Sequence, residues 1–180
     1  MELTIDENIK LELINDSHSQ ALFEIAAAHR NYLRQWLVWV DEMKSVAFIE
    51  NYIRGSNQRN VDGNEFAFVI IKNKKLIGRI GIYKINAINQ IGEIGYWIVE
   101  DQQGKGIVTT CCKALIHFCF NELKLNRIEI ICGTENYKSQ IIAERLGFTK
   151  EGIIRQGALV HNSFIDLCLF SLLKTDLTHL

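Results

Sequence analysis

The first sixty residues carry apolar side chains first in alternating and then in helical spacing. Alternation predicts a strand, and spacing by three and four residues predicts a helix. Asn and Ser directly before such a stretch favour the start of a helix, because their side chains accept bonds from its first amides. The predicted elements are an edge strand over residues 9–14, a helix from the Asn15-Asp16-Ser17 cap to about residue 31, an aromatic-rich connection over 33–40 and a helix over 45–55.

The middle of the chain consists of short apolar runs that are separated by polar turns, such as the Lys-Asn-Lys-Lys segment at 72–75. Strands joined by so few residues pair antiparallel with their neighbours in sequence. This region is therefore predicted as a meander with strands over residues 66–71, 76–83 and 93–99.

A long amphipathic helix then replaces the short turns. It is predicted over about residues 105–122, followed by a strand over 127–132. A strand, a helix and a second strand form a crossover, so the two strands should be parallel. The apolar face of the helix comprises Val108, Cys112, Leu115, Cys119 and Leu123.

The C-terminal part predicts a second helix over about residues 137–146, with Gly147 as its left-handed cap, and two strands, from Phe148 onward and over 163–173. No repeat or linker interrupts the chain. We expect one α/β domain over residues 1–180, in which an antiparallel meander precedes a parallel βαβ crossover and helices cover both faces of the mixed sheet.

The net charge and the types of residue in the chain argue against several classes of function. The net charge of −1 lacks the basic surplus of a general nucleic-acid binder. No apolar run reaches the roughly 18 residues of a membrane span, and the acidic N-terminus differs from a signal peptide, so a cytoplasmic protein without membrane attachment is expected. Neither the cysteines nor the histidines show metal-ligand spacing, so no metal is expected and the cysteines are predicted to be reduced core thiols. These residues are Cys111, Cys112, Cys119, Cys132 and Cys168, and His18, His29, His117, His161 and His179.

The loop over residues 103–108 is the sharpest chemical feature. Gly104 and Gly106 expose backbone amides at a helix N-terminus, where the helix dipole favours an anion such as a diphosphate. Thr109 could add a hydroxyl donor. The alternative is that the two glycines only shape a tight turn. The spacing fits neither a P-loop nor a dinucleotide fingerprint.

Several further motifs accompany this loop in a fixed order. They are Leu33-x-x-Trp36-Leu37-x-Trp39, Gly95-Tyr96-Trp97-Ile98, Asn136-x-x-Ser139 followed by Gly147-Phe148, and the closing Phe170-Ser171-Leu172-Leu173. With them the chain resembles the GNAT superfamily of N-acetyltransferases, and within it the bacterial ribosomal-protein N-terminal acetyltransferases. In the superfamily loop Q/R-x-x-G-x-G/A, Gln103 and Gly106 match, whereas Val108 departs from the small last residue.

The resemblance implies direct transfer of acetyl from acetyl-CoA to a primary amine. It implies that the backbone N–H near Ile98 stabilises the oxyanion and that Ser139 protonates or hydrogen-bonds the departing thiolate. For Ser139 the alternative is a hydroxyl that bonds back to a carbonyl of its own helix. The cofactor-binding residues implied are Ile98, Val99, Gln103, Gly104, Lys105, Gly106, Ile107, Val108, Thr109 and Asn136.

The general base is less defined. The resemblance implies that the strand over 93–99 splays from its parallel neighbour. Glu93 on this strand is either the base, directly or through a water, or a charge that faces solvent. Relatives in this group can carry a carboxylate a few residues after the Gly147-Phe148 segment, but the nearest matching position is Ala158, so that role is vacant or filled elsewhere. A free α-amino group has a pKa of about 7.7–8.0, against about 10.4 for lysine, and needs only a weak base.

The acceptor is open at this stage. The resemblance favours the N-terminal α-amino group of a ribosomal protein, and the alternatives are a small amine (an amino sugar, a polyamine or an amine antibiotic) or a catalytically silent acyl-CoA-binding module. Trp36 and Trp39 fall where the acceptor side is expected, although a core or dimer contact fits them equally well. A homodimer is compatible with the resemblance.

Overall fold

The computed structural model describes residues 1–179, with side chains described through Leu177, and places eight strands in one mixed sheet. The side chain of His179 therefore lies outside the described residues. The strands are β1 (Glu2–Thr4), β2 (Ile9–Leu13), β3 (Phe66–Lys72), β4 (Lys75–Asn86), β5 (Ile91–Ile98), β6 (Arg127–Gly133), β7 (Thr149–Val160) and β8 (Ser163–Leu173). The helices are α1 (Ser19–Ala28), α2 (Arg30–Leu33), α3 (Trp39–Glu42), α4 (Val46–Val61), α5 (Ile107–Asn121) and α6 (Tyr137–Arg145).

The strand order is β1-β2-β3-β4-β5-β6-β8-β7, and every pair is antiparallel except β5 with β6. The predicted meander and the parallel crossover are thereby confirmed. The prediction that the strand at 9–14 forms the edge is wrong, because Glu2–Thr4 pairs outside it. Three residues are too few for their alternation to be recognised in a sequence.

The parallel pair opens after a few residues. Only Ile91, Gly92 and Glu93 of β5 have partners in β6, at residues 127–129. From Ile94 to Ile98 the strand continues without its neighbour, so the two strands diverge. This divergence creates the gap in which the candidate site lies.

One face of the sheet is covered by α4 and α3. The guanidinium of Arg79 in β4 lies over the Tyr52 ring of α4, 4.3 Å from its centroid. Trp97 of β5, opposite Arg79 in register, packs against Trp39 of α3 at 6.2 Å between ring centroids.

The other face is covered by α5 and α6. Phe66 and Phe68 of β3 both make edge contacts with Phe118 of α5. Tyr96 of β5, which points to the same side as Phe68 through the pairing with Ile80, donates a hydrogen bond of 3.4 Å to the carbonyl of Ser139 on α6. Helices therefore lie on both faces, as predicted.

The N-terminal helices differ in their bounds from the prediction. Asn15 does cap the first turn, accepting a bond from Ser17 N, but the helix breaks at His29 (φ −105°, ψ 21°). The side chain of Arg30 bonds the carbonyls of Val40 and Met43, which ties the two short helices of the aromatic-rich connection together. Hydrogen bonds between residues so far apart leave no periodic pattern in the sequence, so these helix bounds could not be predicted from it.

The helix predicted over residues 45–55 continues to Val61. Gly55 lies inside it with φ in the ordinary range and close to the Arg59 side chain. A glycine within a helix costs only about 1 kcal/mol relative to alanine, and the tertiary contacts of α4 exceed that cost. Gly147, by contrast, has φ +79° after α6 and is the predicted left-handed cap.

All five cysteines are free and buried, as expected for core thiols. Burial raises the pKa of Cys111 to about 12 and that of Cys132 to about 11, so both remain protonated at neutral pH.

Across the described part of the chain, no helix is both long and apolar enough to cross a bilayer. Nor do the described side chains include a group of three or more His, Cys, Asp or Glu residues that could hold a metal ion.

Candidate active site

A cavity of about 770 Å³ occupies the gap between the diverging strands. The end of β5 forms one wall and the start of α6 forms another. The loop before α5 and the segment from α2 to Leu37 complete the lining. The cavity thus lies where β5 and β6 separate.

The loop at residues 103–106 requires its glycines. Gly104 has φ +70° and Gly106 has φ +74°, a left-handed conformation that other residues adopt only with strain. A Cβ at either position would meet nothing within 4 Å. The glycines therefore do shape the turn, and they also leave open space in front of it.

The amides of this loop are available to a ligand. Gly106 caps α5, and its carbonyl accepts bonds from Thr110 N at 3.0 Å and Thr110 Oγ1 at 3.2 Å. Within residues 1–179, no acceptor bonds the amides of residues 104–109. A run of unpaired N–H groups at the start of a 15-residue helix has the geometry and the dipole that suit a phosphate anion.

Val108, the departure from the family pattern, packs inward. Its side chain is 7% exposed and belongs to the hydrophobic core, although the residue also lines the cavity. The extra methyl groups are accommodated mainly by the core beneath the loop. Ile107 is buried in the same way, whereas Lys105 and Thr109 line the cavity at the more exposed side of the turn.

Gln103 connects the loop to two side chains that sequence reasoning missed. Its Nε2 donates to the Tyr32 hydroxyl of α2, and its Oε1 accepts a bond of 2.7 Å from Lys138 Nζ of α6. Both partners line the cavity. Tyr32 stands one turn before Trp36, and Lys138 directly precedes Ser139. These positions beside motif residues were the only available signals.

The start of α6 holds the two predicted residues of the second motif. Asn136 is the N-cap, and its Oδ1 accepts a bond of 3.3 Å from Ser139 N. Both residues line the cavity. Among the side chains described, the hydroxyl of Ser139 makes no bond to a carbonyl of its own helix. Burial raises the pKa of the nearby Tyr96 phenol above its ordinary value, and a hydrogen bond from the Ser139 side chain opposes part of that rise.

The alternation of bonded and non-bonded backbone positions along β5 determines which of its amides face the gap. Val99 N donates to Ile77 O at 2.9 Å, and Ile98 pairs with Gly78 in register. In an antiparallel pair, bonded and non-bonded positions alternate, so the amide of Ile98 points away from β4. It therefore faces the side from which β6 has diverged.

Val99, the next residue, does not line the cavity. It is buried, and both of its backbone groups are bonded, the carbonyl to Gln102 N. The structure thus does not bring Val99 together with the other predicted cofactor contacts.

Glu93 also lies away from the cavity. It is on the part of β5 that still pairs with β6, and its Oε2 accepts a bond of 2.7 Å from Lys84 Nζ. Ala158 lies opposite Ile165 in the β7–β8 hairpin and does not line the cavity either. The structure therefore does not place Glu93 with Ser139 and the loop.

A second cavity of about 370 Å³ adjoins the first. Trp36 and Glu135 line both cavities, and Asp166 lines the second. Gly133 makes room for Trp36, because a Cβ there would lie 2.9 Å from the indole ring. Of the two tryptophans predicted on the acceptor side, Trp36 therefore lines the site, whereas Trp39 packs against Trp97.

Comparison with known proteins agrees with this geometry. The family model of the acetyltransferase (GNAT) domain matches residues 8–149. YdaF of Bacillus subtilis (strain 168), whose name assigns it provisionally to the ribosomal N-acetyltransferases, is 32% identical over 173 residues, covering 96% of this chain and 94% of YdaF. The ribosomal-protein-serine acetyltransferase of Escherichia coli (strain K12) is 29% identical over 169 residues, covering 94% of each chain.

Among solved structures, RimL, a ribosomal L7/L12 α-N-protein acetyltransferase in complex with coenzyme A, superposes with a TM-score of 0.93. It covers 96% of this chain and 98% of its own at 24% identity, which shows a shared fold. The diverging strands, the glycine loop at the start of α5 and the family match lead to one conclusion. The chain belongs to the GNAT family and is an N-acetyltransferase that uses acetyl-CoA.

Proposed function

We propose that this enzyme transfers the acetyl group of acetyl-CoA directly to the N-terminal α-amino group of a protein, with a ribosomal protein as the acceptor. The observation that carries the proposal is the gap between β5 and β6, whose cavity is lined by the loop with unpaired amides and adjoins a second cavity. A cofactor and an acceptor can therefore occupy two adjoining spaces. The names of the most similar curated relatives support the acceptor class.

The residues present fit the cofactor. The amides of residues 104–109 are unpaired, and the loop lines the cavity with no atom within 4 Å of a Cβ at Gly104 or Gly106, which suits a diphosphate. The exposed backbone edge of β5 from Ile94 to Ile98 can pair with the amides of a pantetheine chain, as an added strand would. Acetyl-CoA supplies the activated thioester when it is bound.

The chain's own groups can then assist the transfer. The neutral amine attacks the thioester carbonyl, the N–C bond forms, and the C–S bond breaks. The amide of Ile98 is oriented towards the gap and can donate to the developing oxyanion. The hydroxyl of Ser139, in the cavity wall beside Tyr96, can give its proton to the departing sulfur.

Two carboxylates are candidates for taking the proton of the incoming ammonium. Glu93 would act from the paired end of β5 through water, since it is bonded to Lys84 and stands outside the cavity. Glu135 lies where the two cavities meet, and its Oε2 accepts a bond of 3.0 Å from the Tyr137 hydroxyl. Its position favours Glu135 as the group that the ammonium meets first.

A small cationic amine is the second candidate acceptor. Glu135 and Asp166 beside the second cavity suit a positively charged molecule, and neither joins an ion pair among the described residues. The spermidine N(1)-acetyltransferase of Escherichia coli (strain K12) is 28% identical over 112 residues, 61% of this chain.

The deciding experiment compares acceptors at equal concentration. We expect peptides that begin with Ser or Ala to release free thiol from acetyl-CoA faster than spermidine or an aminoglycoside does. Mass spectrometry of the peptide should place the acetyl group on the α-nitrogen. Faster turnover of spermidine would replace the protein acceptor by the small amine, and acetylation only of internal lysines would exclude the N-terminal assignment.

A further inference from the structure

Three side chains from three separate elements meet at the edge of the main cavity. Gln103 of the loop donates to the Tyr32 hydroxyl on α2 and accepts a bond from Lys138 Nζ on α6. Lys138 Nζ also lies 5.8 Å from the centroid of the Tyr32 ring, within the range of a cation–π contact. The ammonium is thus held at a defined point facing the glycine loop.

Lys138 keeps its charge uncompensated. Its partners here are a neutral amide and a neutral ring, and it joins no ion pair within residues 1–177. The ammonium of Lys105, by contrast, is bonded to Asp101 O at 2.8 Å, within its own loop. Lys138 is therefore the better placed cation for an anion that lies in the cavity.

The position of Lys138 is also unfavourable for its own helix. It is the second residue of α6, where the positive end of the helix dipole repels a cation. The stability of the helix does not account for a lysine at this point. An anion bound in the cavity would account for it.

We propose that Lys138 binds the diphosphate of coenzyme A from the α6 side, opposite the loop amides, and that Gln103 and Tyr32 are positioning residues for its ammonium. An ammonium is a compact point charge that suits a phosphate group. The loop amides supply neutral donors, so Lys138 adds the full charge that they lack. The proposal rests on the cofactor site described above and is independent of the acceptor's identity.

Isothermal titration with three ligands tests this assignment without turnover. The ligands are coenzyme A, 3′-dephospho-coenzyme A and pantetheine, and the variants are Lys138→Met, Lys138→Arg and Lys113→Met. Lys113 is an exposed lysine of α5 outside both cavities, so its variant makes the same change of charge elsewhere. Circular dichroism and thermal melting confirm that each variant is folded.

We expect Lys138→Met to bind both diphosphate ligands about tenfold more weakly, because one charge-assisted bond is lost. Pantetheine should bind all variants equally, and Lys138→Arg should bind close to wild type. The affinity of Lys138→Met for coenzyme A should also fall less steeply as salt is added.

Three results would overturn the proposal. One is an unchanged affinity of Lys138→Met for coenzyme A, and another is an equal loss in Lys113→Met. The third is a loss seen with coenzyme A but not with 3′-dephospho-coenzyme A, which would move the contact to the 3′-phosphate. Failure of the wild-type protein to bind coenzyme A would instead remove the cofactor site itself.

Discussion

Val99 N donates to Ile77 O at 2.9 Å, and this bond determines the direction of the amide one residue earlier. Because bonded and non-bonded positions alternate along β5, Ile98 N–H is directed away from β4 and towards the gap. The gap exists because β6 pairs with β5 at only three positions. The donor that we propose for the oxyanion is thus oriented by strand register and needs no dedicated side chain.

Replacing Gly106 should abolish cofactor binding. A tryptophan at this position would stand in the open space before the loop amides and would also be strained at φ +74°. We expect Gly106→Trp to show no measurable heat of coenzyme A binding by calorimetry. Unchanged affinity would remove the assignment of the phosphate loop.

Gly63 offers a matched control for that experiment. It has φ +73°, a Cβ added to it would meet nothing within 4 Å, and it lies outside both cavities. Gly63→Trp should therefore lower the melting temperature through backbone strain while leaving coenzyme A affinity intact. This comparison separates the loss of a binding surface from a general loss of stability.

Removing the Ser139 hydroxyl should slow the chemical step. If Ser139 gives its proton to the thiolate, Ser139→Ala should lower kcat about 100-fold, the lower part of the range for general acid catalysis. The dissociation constant for coenzyme A should change little, because the cap made by Asn136 uses the backbone amide of residue 139. A kcat equal to that of the wild type would exclude Ser139 as the proton donor.

The two candidate carboxylates can be separated by a pair of isosteric changes. We expect Glu135→Gln to raise the KM for the acceptor and to lower kcat/KM about tenfold, because Glu135 lies where the cavities meet. Glu93→Gln should have a smaller effect, because that carboxylate is bonded to Lys84 outside the cavity. The reverse order, measured with a Ser-initiated peptide over a range of pH, would make Glu93 the base.

The C-terminal hairpin should loosen in acid. Hydrogen bonds from Arg127 and from Ser171 lower the pKa of Glu151 to about 2, against an ordinary value of 4.5. A carboxyl group with a lowered folded pKa contributes stability above its unfolded pKa, and this contribution is lost as the pH falls from about 4.5 to about 2. The melting temperature should therefore fall over that interval.

Glu151→Gln tests the origin of that acid sensitivity. The variant should melt at a lower temperature than the wild type at pH 7, and the difference should shrink as the pH approaches 2. The effect should be modest, because the Glu151 side chain is 38% exposed and solvent screens its ion pair with Arg127. A constant difference across the pH range would show that Glu151 does not contribute in this way.

Local pattern was sufficient for much of the architecture. Alternation and turn residues identified the meander over β3, β4 and β5, and the amphipathic spacing after Gly106 identified α5 and hence the parallel crossover. The left-handed cap at Gly147 was predicted from the sequence as well, because glycine tolerates that conformation without strain. These features depend on residues close in sequence, so the sequence alone carries them.

Other features depended on contacts between distant segments. The break of the first helix at His29 goes with bonds from Arg30 to carbonyls more than nine residues away. Tyr32 and Lys138 join the site only because Gln103 lies between α2 and α6. The spacing of apolar and polar residues along the chain does not indicate such contacts between distant segments.

The same division holds for the chemistry. The glycine loop before α5 and the motif that contains Asn136 and Ser139 could both be found from the chain alone, because each is a local pattern. Three-dimensional packing was needed to show that the Ile98 amide faces the gap, that Glu93 and Val99 stand outside it, and that Glu135 borders both cavities. Strand divergence and register place these groups, and both arise from the packing of segments far apart in the chain.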